Sequence, residues 1–174
     1  LNTTDLSVGQ QNTLYMPSAL TVTDTTINVT LSSKRYSQMN GTCVLGGNAT
    51  ITYRGGGTYA PLHLGEESRH THSLLLKDQA KLYCLQDDPD TPAASSVSGL
   101  EAFQSATITL TGSSYLEAEG KDSTGKYFGM GVCSGNPIYV QDNATLKTTG
   151  YDIALWAGSL NVTGGTVIAN SHYG

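Results

Sequence analysis

Apolar and polar residues alternate along short stretches of this chain, and the alternation recurs with a turn at its centre. Within residues 138–148, Ile138 and Val140 precede a turn at Asp142, and Leu146 resumes the alternation after it. A period of two is typical of β-strands with one buried face, because successive side chains point to opposite sides of a strand. The segment therefore predicts a strand, a tight turn and a second strand.

The same unit can be aligned six times along the chain. The apolar pairs of its first strand are Leu20/Val22, Cys43/Leu45, Leu74/Leu76, Ile108/Leu110, Ile138/Val140 and Leu160/Val162. The apolar anchors of its second strand are Ile27, Ile51, Leu82, Leu116, Leu146 and Val167. Only Asp or Gly follows two residues after each first strand, at Asp24, Gly47, Asp78, Gly112, Asp142 and Gly164. Both residue types tolerate positive φ, so this column predicts tight turns.

A third short apolar piece follows several of these units, at 62–64, 100–102, 130–132 and 153–155. The units are 22 to 34 residues apart, counted from Val22 through to Val162. Repeats of this size, each too small to bury its own apolar face, indicate a stacked solenoid. The sequence therefore predicts an all-β, single-domain parallel β-helix (β-solenoid) of about six coils with three short strands per coil. The rule for parallel connections makes it right-handed.

The repeat also divides the chain. Residues 1–18 lack it and are predicted to be an N-terminal lead-in or cap, while residues 19–174 form the β-solenoid domain. Loop insertions at 54–72, 86–104 and 119–135 all follow second strands, so we expect them to leave one corner and build one surface. The polar segment 32–41 is predicted to be a turn. Segment 74–83 is rich in helix formers, but Asp78 and Leu82 fall in the repeat columns, which favours strands.

Composition and charge narrow the function. Charged residues make up 13% of the chain, and it contains 20 glycines, a composition that suits strands and turns. A net charge of −5 argues against a nucleic-acid partner, because phosphate binding needs clustered Lys and Arg. The chain contains no run of 18 apolar residues, so the sequence predicts no membrane span. The first residue is Leu1, which we interpret as a mature form or a fragment.

The three cysteines allow two interpretations. Cys43 and Cys84 lie at inward positions of neighbouring repeats, and Cys133 lies near a third strand. We expect buried free thiols that behave as small apolar side chains. A disulfide between Cys43 and Cys84 is the alternative, which an extracellular setting would permit.

Two clusters have the residue types of metal sites. His63, His70 and His72 lie within ten residues, and such side chains bind transition metals. Asp87, Asp88 and Asp90 lie in a loop, and carboxylates bind calcium. Solvated loop residues are the alternative for both, so no cofactor is required by the pattern and calcium is the candidate ion.

Aromatic residues are the candidate ligand contacts. The chain has ten Tyr and one Trp. Those expected at outward or loop positions are Tyr59, Tyr83, Tyr127, Tyr139, Tyr151 and Trp156. Flat rings at such positions can stack on sugars, although Tyr is also simply favoured in strands.

The outward positions do not predict catalysis. Those of the second strands are Asn28, Thr52, Tyr83, Glu117, Lys147 and Ile168. This set contains no pair of carboxylates for general acid and base catalysis, so we predict that the chain is not an enzyme. Six Asn-x-Thr sequons, at Asn2, Asn28, Asn40, Asn48, Asn143 and Asn161, suit an exposed glycosylated surface or a Thr-rich turn composition.

Residues 135–147 and 158–169 resemble repeats in secreted bacterial cell-surface β-helix proteins. These include carbohydrate-binding-domain and adhesin-like proteins of the pectin-lyase-like superfamily. The resemblance implies a secreted or cell-surface, non-catalytic module that binds a polysaccharide, another glycan or a surface protein. A structural stalk segment of a larger surface protein, and a polysaccharide lyase-like or hydrolase-like enzyme, are the alternatives.

Overall fold

The computed structural model describes residues 4–8, 15–16, 19–31, 36–55, 59–65, 71–86, 98–103, 105–120, 129–151 and 153–172. These residues form 17 β-strands, and none of them is helical, which confirms the all-β prediction. The strands are β1 (Thr4–Val8), β2 (Tyr15–Met16), β3 (Ala19–Thr23), β4 (Thr26–Leu31), β5 (Ser37–Met39), β6 (Thr42–Gly46), β7 (Thr50–Gly55), β8 (Leu62–Leu64), β9 (His72–Leu76), β10 (Lys81–Leu85), β11 (Leu100–Ala102), β12 (Ala106–Leu110), β13 (Tyr115–Glu119), β14 (Val132–Gln141), β15 (Thr145–Gly150), β16 (Leu155–Thr163) and β17 (Thr166–Ser171).

The strands build two parallel sheets. One sheet has seven strands in the order β1-β4-β7-β10-β13-β15-β17. The other has ten strands in the order β2-β5-β8-β11-β14-β12-β9-β6-β3, with β16 paired to β14. The sheets enclose the core almost completely, and the arrangement is compatible with a parallel β-solenoid.

The strand register follows the sequence alignment. Leu20 pairs with Cys43, and Leu74 pairs with Ile108, so the first strands meet at their apolar positions. Leu116 lies between Leu82 and Leu146 in the seven-stranded sheet. Segment 74–83 contributes to strands β9 and β10, as the repeat columns predicted.

Two features of the ten-stranded sheet differ from the sequence prediction. Segment 32–41 was expected to be a turn, but it contains β5, whose Ser37 and Met39 are fully buried. The polar side chains hid this strand, which is held by backbone pairing to β2 and β8. In addition, β14 joins two predicted strands across an irregularity between Ser134 and Pro137, so it pairs with both β11 and β12.

The predicted turn column has the expected backbone. The φ angles are 51° at Asp24, 59° at Gly47, 60° at Asp78, 68° at Gly112, 56° at Asp142 and 86° at Gly164. Successive turns are joined by the Asp side chains. The Gly47 N–H donates to Asp78 Oδ2 at 2.9 Å, and the Gly112 N–H donates to Asp142 Oδ2 at 2.9 Å. The latter bond and one from the Thr111 hydroxyl lower the pKa of Asp142 below its ordinary value.

The core consists of inward side chains stacked in columns. Leu45, Leu76, Leu110 and Val140 form one such column, and each is completely buried. Cys43 and Cys84 are buried free thiols, which confirms the first interpretation for these two cysteines, whereas the free thiol of Cys133 is only partly buried. Burial raises the pKa of Cys43 to about 11, so the thiol stays protonated at neutral pH.

Within the described residues, no helix has the length and apolar character needed to span a membrane.

Candidate functional site

An open groove of about 300 Å³ lies on the outer face of the seven-stranded sheet. It is lined by Thr52, Arg54, Tyr83, Leu85, Glu117 and Glu119. Two rows of outward side chains form the groove. Each row contains residues that are register partners on neighbouring parallel strands, whose side chains therefore lie side by side. The first row is Thr52, Tyr83 and Glu117, and the second is Arg54, Leu85 and Glu119. Of the predicted ligand contacts, the groove contains Tyr83.

Glu117 is fixed at one wall of the groove by two hydrogen bonds. The Tyr115 hydroxyl donates to Glu117 Oε2 at 2.8 Å, and Lys147 Nζ donates to Glu117 Oε1 at 2.6 Å. Lys147 is the register partner of Glu117 on the next strand, which brings the opposite charges together. Partial burial favours protonation of Glu117, but these partners outweigh it and lower the pKa of its carboxyl group. Glu117 is therefore ionised at neutral pH.

Two tyrosines form the aromatic part of this site. The rings of Tyr83 and Tyr115 have centroids 5.7 Å apart and are tilted by 48°, a favourable arrangement for aromatic pairs. Both side chains are half-buried. Burial, with the bond to Glu117, raises the pKa of Tyr115, so its hydroxyl keeps its proton. Sequence reasoning missed Tyr115 because only the central outward residue of each second strand was considered.

The same omission hid a pair of carboxylates. Glu119 lies two residues after Glu117 on β13, so both side chains are on one face and line one groove. The expectation that the outward positions lack paired carboxylates was therefore wrong. A general acid at neutral pH needs a raised carboxyl pKa, whereas that of Glu117 is lowered. The arrangement thus places fixed charge and hydrogen-bonding groups along an open groove.

The groove lies where three chain insertions begin. Leu85, the last residue of β10, pairs with Arg54 and Glu119, which lie at the ends of β7 and β13. The connections 56–61, 86–99 and 120–131 follow those strands and lead to the ten-stranded sheet. The strand ends that these connections follow therefore lie side by side, at the second row of the groove.

A second aromatic cluster lies on the outer face of the ten-stranded sheet. The His63 ring stacks on Tyr36 with centroids 3.9 Å apart, and Phe103 lies 5.1 Å away on a tilted plane. Tyr59, which is 44% exposed, meets His63 edge-on at 6.3 Å. His63 Nε2 lies 3.6 Å from Glu101 Oε2. His63 and Tyr59, predicted separately, are thus neighbours, whereas Tyr36 and Phe103 were not predicted to join them.

His72 lies in the same sheet as His63, but its side chain points inward, to the core side of the sheet. It is completely buried, and its Nδ1 accepts a hydrogen bond of 2.8 Å from the Gly41 N–H. A side chain at Gly65 would collide with the His72 ring, which explains a glycine at that position. Within the described ranges, no three His, Cys, Asp or Glu residues are grouped as a metal site would require. His70, Asp87, Asp88, Asp90 and Tyr127 lie outside those ranges.

The remaining predicted aromatic residues are on other parts of the surface. Tyr139 lies between Thr109 and Asn161 in the ten-stranded sheet and is half-buried. Trp156 is 53% exposed and pairs with Cys133, whereas Tyr151 follows β15. The structure therefore does not bring the described candidates together on one face.

Cys133, on strand β14 of the ten-stranded sheet, is a partly exposed thiol. Burial, together with the negative charge of Glu101, raises its pKa. A protonated thiol is a weak nucleophile, so the environment of Cys133 does not activate it.

No protein-family model, curated protein or solved structure matches this chain.

Proposed function

We propose that this chain is a non-catalytic module of a secreted or cell-surface protein, and that it binds carbohydrate in the groove around Tyr83. The observation that carries the proposal is the tilted pair of Tyr83 and Tyr115 beside the fixed carboxylate of Glu117. Sugars have apolar ring faces and hydroxyl edges. A site with aromatic faces next to charged hydrogen-bonding groups matches both parts.

The side chains that line the groove would make different kinds of contact with a sugar. Thr52 and Arg54 offer hydrogen-bond donors, while Glu117 and Glu119 offer acceptors for sugar hydroxyls. Leu85 adds apolar surface between Arg54 and Glu119. The ligand we propose is a polysaccharide or another glycan, and the insertions within 54–72, 86–104 and 119–135 enlarge the surface that it meets.

The fold that supports this module is proposed to be a right-handed parallel β-solenoid of about six coils. Three strands per coil are supported by the long strands β14 and β16, each of which pairs at two separate places. The handedness follows the general preference of parallel crossovers. The resemblance of residues 135–147 and 158–169 to bacterial cell-surface β-helix repeats supports the extracellular location.

A non-catalytic role is supported by the ionisation state of Glu117, which lines the groove, and by the protonated state of Cys133. Glu117 is held as an anion by Lys147 and Tyr115, and so it does not supply the proton that glycosidic cleavage requires. Cys133 does not supply a thiolate nucleophile. The ionised Glu117 carboxylate is suited to accepting hydrogen bonds from a ligand in the groove.

The test is a binding screen of the folded chain against plant, host and microbial polysaccharides. We expect saturable binding to at least one of them. In Tyr83→Ala, loss of one stacking ring worth about 1 kcal/mol should weaken binding about fivefold to tenfold. Tyr139→Ala is the matched control, because it removes an outward, half-buried Tyr from a different sheet and should bind like the wild type.

Three outcomes would redirect the proposal. Equal binding by Tyr83→Ala and the wild type would remove the groove as the site, and a loss in Tyr59→Ala would instead indicate the cluster around His63. Repeating the screen with a calcium chelator tests Asp87, Asp88 and Asp90 as a calcium site. No binding to any polysaccharide would favour a stalk segment or a protein partner.

A further inference from the structure

The groove around Tyr83 carries ionisable side chains of both signs. Arg54 lies on strand β7, and Glu117 and Glu119 lie on β13, on the other side of β10. Lys147 is the register partner of Glu117 on β15. These four side chains have two positive and two negative formal charges, so the groove is electrically balanced although the chain has a net charge of −5.

On the β13 wall, the Glu117 carboxylate already has partners within the protein. Its Oε1 accepts the bond of 2.6 Å from Lys147 Nζ, and its Oε2 accepts the bond from the Tyr115 hydroxyl. The Glu117 and Lys147 side chains are 14% and 34% exposed, so solvent screens this ion pair only in part. A cationic ligand group would therefore compete with Lys147, and an anionic one would lie against a carboxylate of its own sign.

The second row of the groove has opposite charges at its two ends. Arg54 and Glu119 lie on either side of Leu85, and two strand spacings put their backbones roughly 10 Å apart. A glycan with a charge of one sign on every unit would meet a like charge at one end of this row, whichever sign it has. Like charges that are brought together in an interface disfavour binding.

Between the two walls, the floor of the groove is uncharged. Tyr83 and Leu85 are successive outward residues of β10 and form this floor. Burial and the negative charge of Glu117 raise the pKa of the Tyr83 hydroxyl, so it stays neutral and can donate a hydrogen bond. Lys81 also faces outward from β10, but it is exposed to solvent and does not line the groove. The floor therefore suits the uncharged face of a sugar ring.

On the basis of the carbohydrate binding proposed above, we propose that the groove selects neutral polysaccharides and rejects glycans with a carboxylate, a sulfate or a free amine on every unit. Hydroxyl groups of a neutral chain can donate to Glu119 and accept from Arg54 and Thr52. They do so without breaking the bond between Glu117 and Lys147. Because no ion pair forms with the ligand, binding should depend little on salt concentration.

Pairs of glycans that share a backbone and differ mainly in charge test this selectivity. The probes are methyl-esterified and de-esterified pectin, N-acetylated and deacetylated chitohexaose, and hydroxyethyl and carboxymethyl cellulose, of which the first in each pair is neutral. In each pair that binds, isothermal titration calorimetry should give a Kd at least about tenfold lower for the neutral member. That Kd should change less than about twofold between about 0.05 and 0.5 M NaCl.

A charge variant links the selectivity to the groove. Glu119→Gln leaves the positive charge of Arg54 in excess, and it should reduce the preference for the neutral over the anionic member at least about threefold. Glu101→Gln is the matched control, because it removes the same charge from β11 of the ten-stranded sheet and should keep the wild-type preference. Circular dichroism verifies that both variants are folded, and the comparison of glycan pairs with the wild-type chain depends on neither.

The other outcomes separate the selectivity from the binding itself. A charged member that binds as tightly as its neutral counterpart contradicts selection by charge and leaves carbohydrate binding in place. A change of preference in Glu101→Gln instead of Glu119→Gln assigns the selectivity to the cluster around His63. If the wider screen finds a ligand outside these pairs, a polyanion or polycation contradicts the selectivity and a neutral glycan supports it. No binding of any glycan removes both the selectivity and the proposed function.

Discussion

The turn column shows how single residues determine this backbone. Gly112 has a φ of 68°, and a Cβ there would lie 2.9 Å from the backbone of Asp78. Asp78 and Asp142 adopt similar φ angles, but their carboxylates extend toward neighbouring turns. Asp thus contributes a hydrogen bond between turns, and Gly provides the space that the Asp of the neighbouring turn occupies.

We predict that Gly112→Ala lowers the free energy of unfolding by about 1–3 kcal/mol, because it adds both φ strain and a steric contact. The control is Gly135→Ala, where a Cβ would meet nothing within 4 Å, and its change should stay below about 1 kcal/mol. Urea unfolding of the three proteins measures both values. Equal stability of the two variants would contradict this account of the column.

Asp142 gives a pH prediction at the same scale. Its pKa is lowered in the folded state from an ordinary value of 3.8, so its ionised form favours folding above that pH. The contribution is lost as the pH falls through the folded-state pKa. We expect Asp142→Asn to melt below the wild type at pH 7, and the difference in melting temperature to narrow below about pH 3.8. A difference that does not vary with pH would rule out this linkage.

At the scale of the strand, the sequence predicted most of the fold. Alternating apolar residues and the Asp/Gly turns were enough to place the first and second strands and their register, since both depend on local chemistry. The short strand β5 was missed because Ser37, Gln38 and Met39 show no apolar alternation, and its pairing depends on β2 and β8. Likewise, Tyr36 and Phe103 join His63 through contacts between separate segments.

Two leucines on neighbouring strands, Leu116 on β13 and Leu85 on β10, allow a comparison of the inner and outer faces of the seven-stranded sheet. Leu116 is completely buried between Leu82 and Leu146, so we expect Leu116→Ala to destabilise the chain by about 2–5 kcal/mol. Leu85→Ala, on the half-buried outer face of β10, should cost less, about 1 kcal/mol. Equilibrium unfolding measures both, and a larger effect at Leu85 would mean that the assignment of faces is wrong.

At the scale of the whole molecule, the candidate site depends on which strands become neighbours. The outward positions of Tyr83, Glu117 and Lys147 followed from alternation along each strand. The groove requires the pairing of β7, β10 and β13, and the contact of Lys147 with Glu117 requires the pairing of β13 and β15; the sequence alignment implied both pairings. The groove's second row and the partner ring Tyr115 were nevertheless overlooked, so the site was only partly predictable. Tyr59, Tyr139 and Trp156 lie away from this groove because they are on the ten-stranded sheet or in its connections.

The alternation of Asp and Gly in the turn column bears on how such a chain can change length during evolution. Loss of one repeat would place Asp78 beside Asp142, or Gly47 beside Gly112. Either change removes a hydrogen bond between a glycine N–H of one turn and an Asp carboxylate of the next. Loss or duplication of two adjacent repeats keeps every Asp beside a Gly. Variants of this chain that differ by an even number of repeats are therefore expected to fold more stably than those that differ by an odd number.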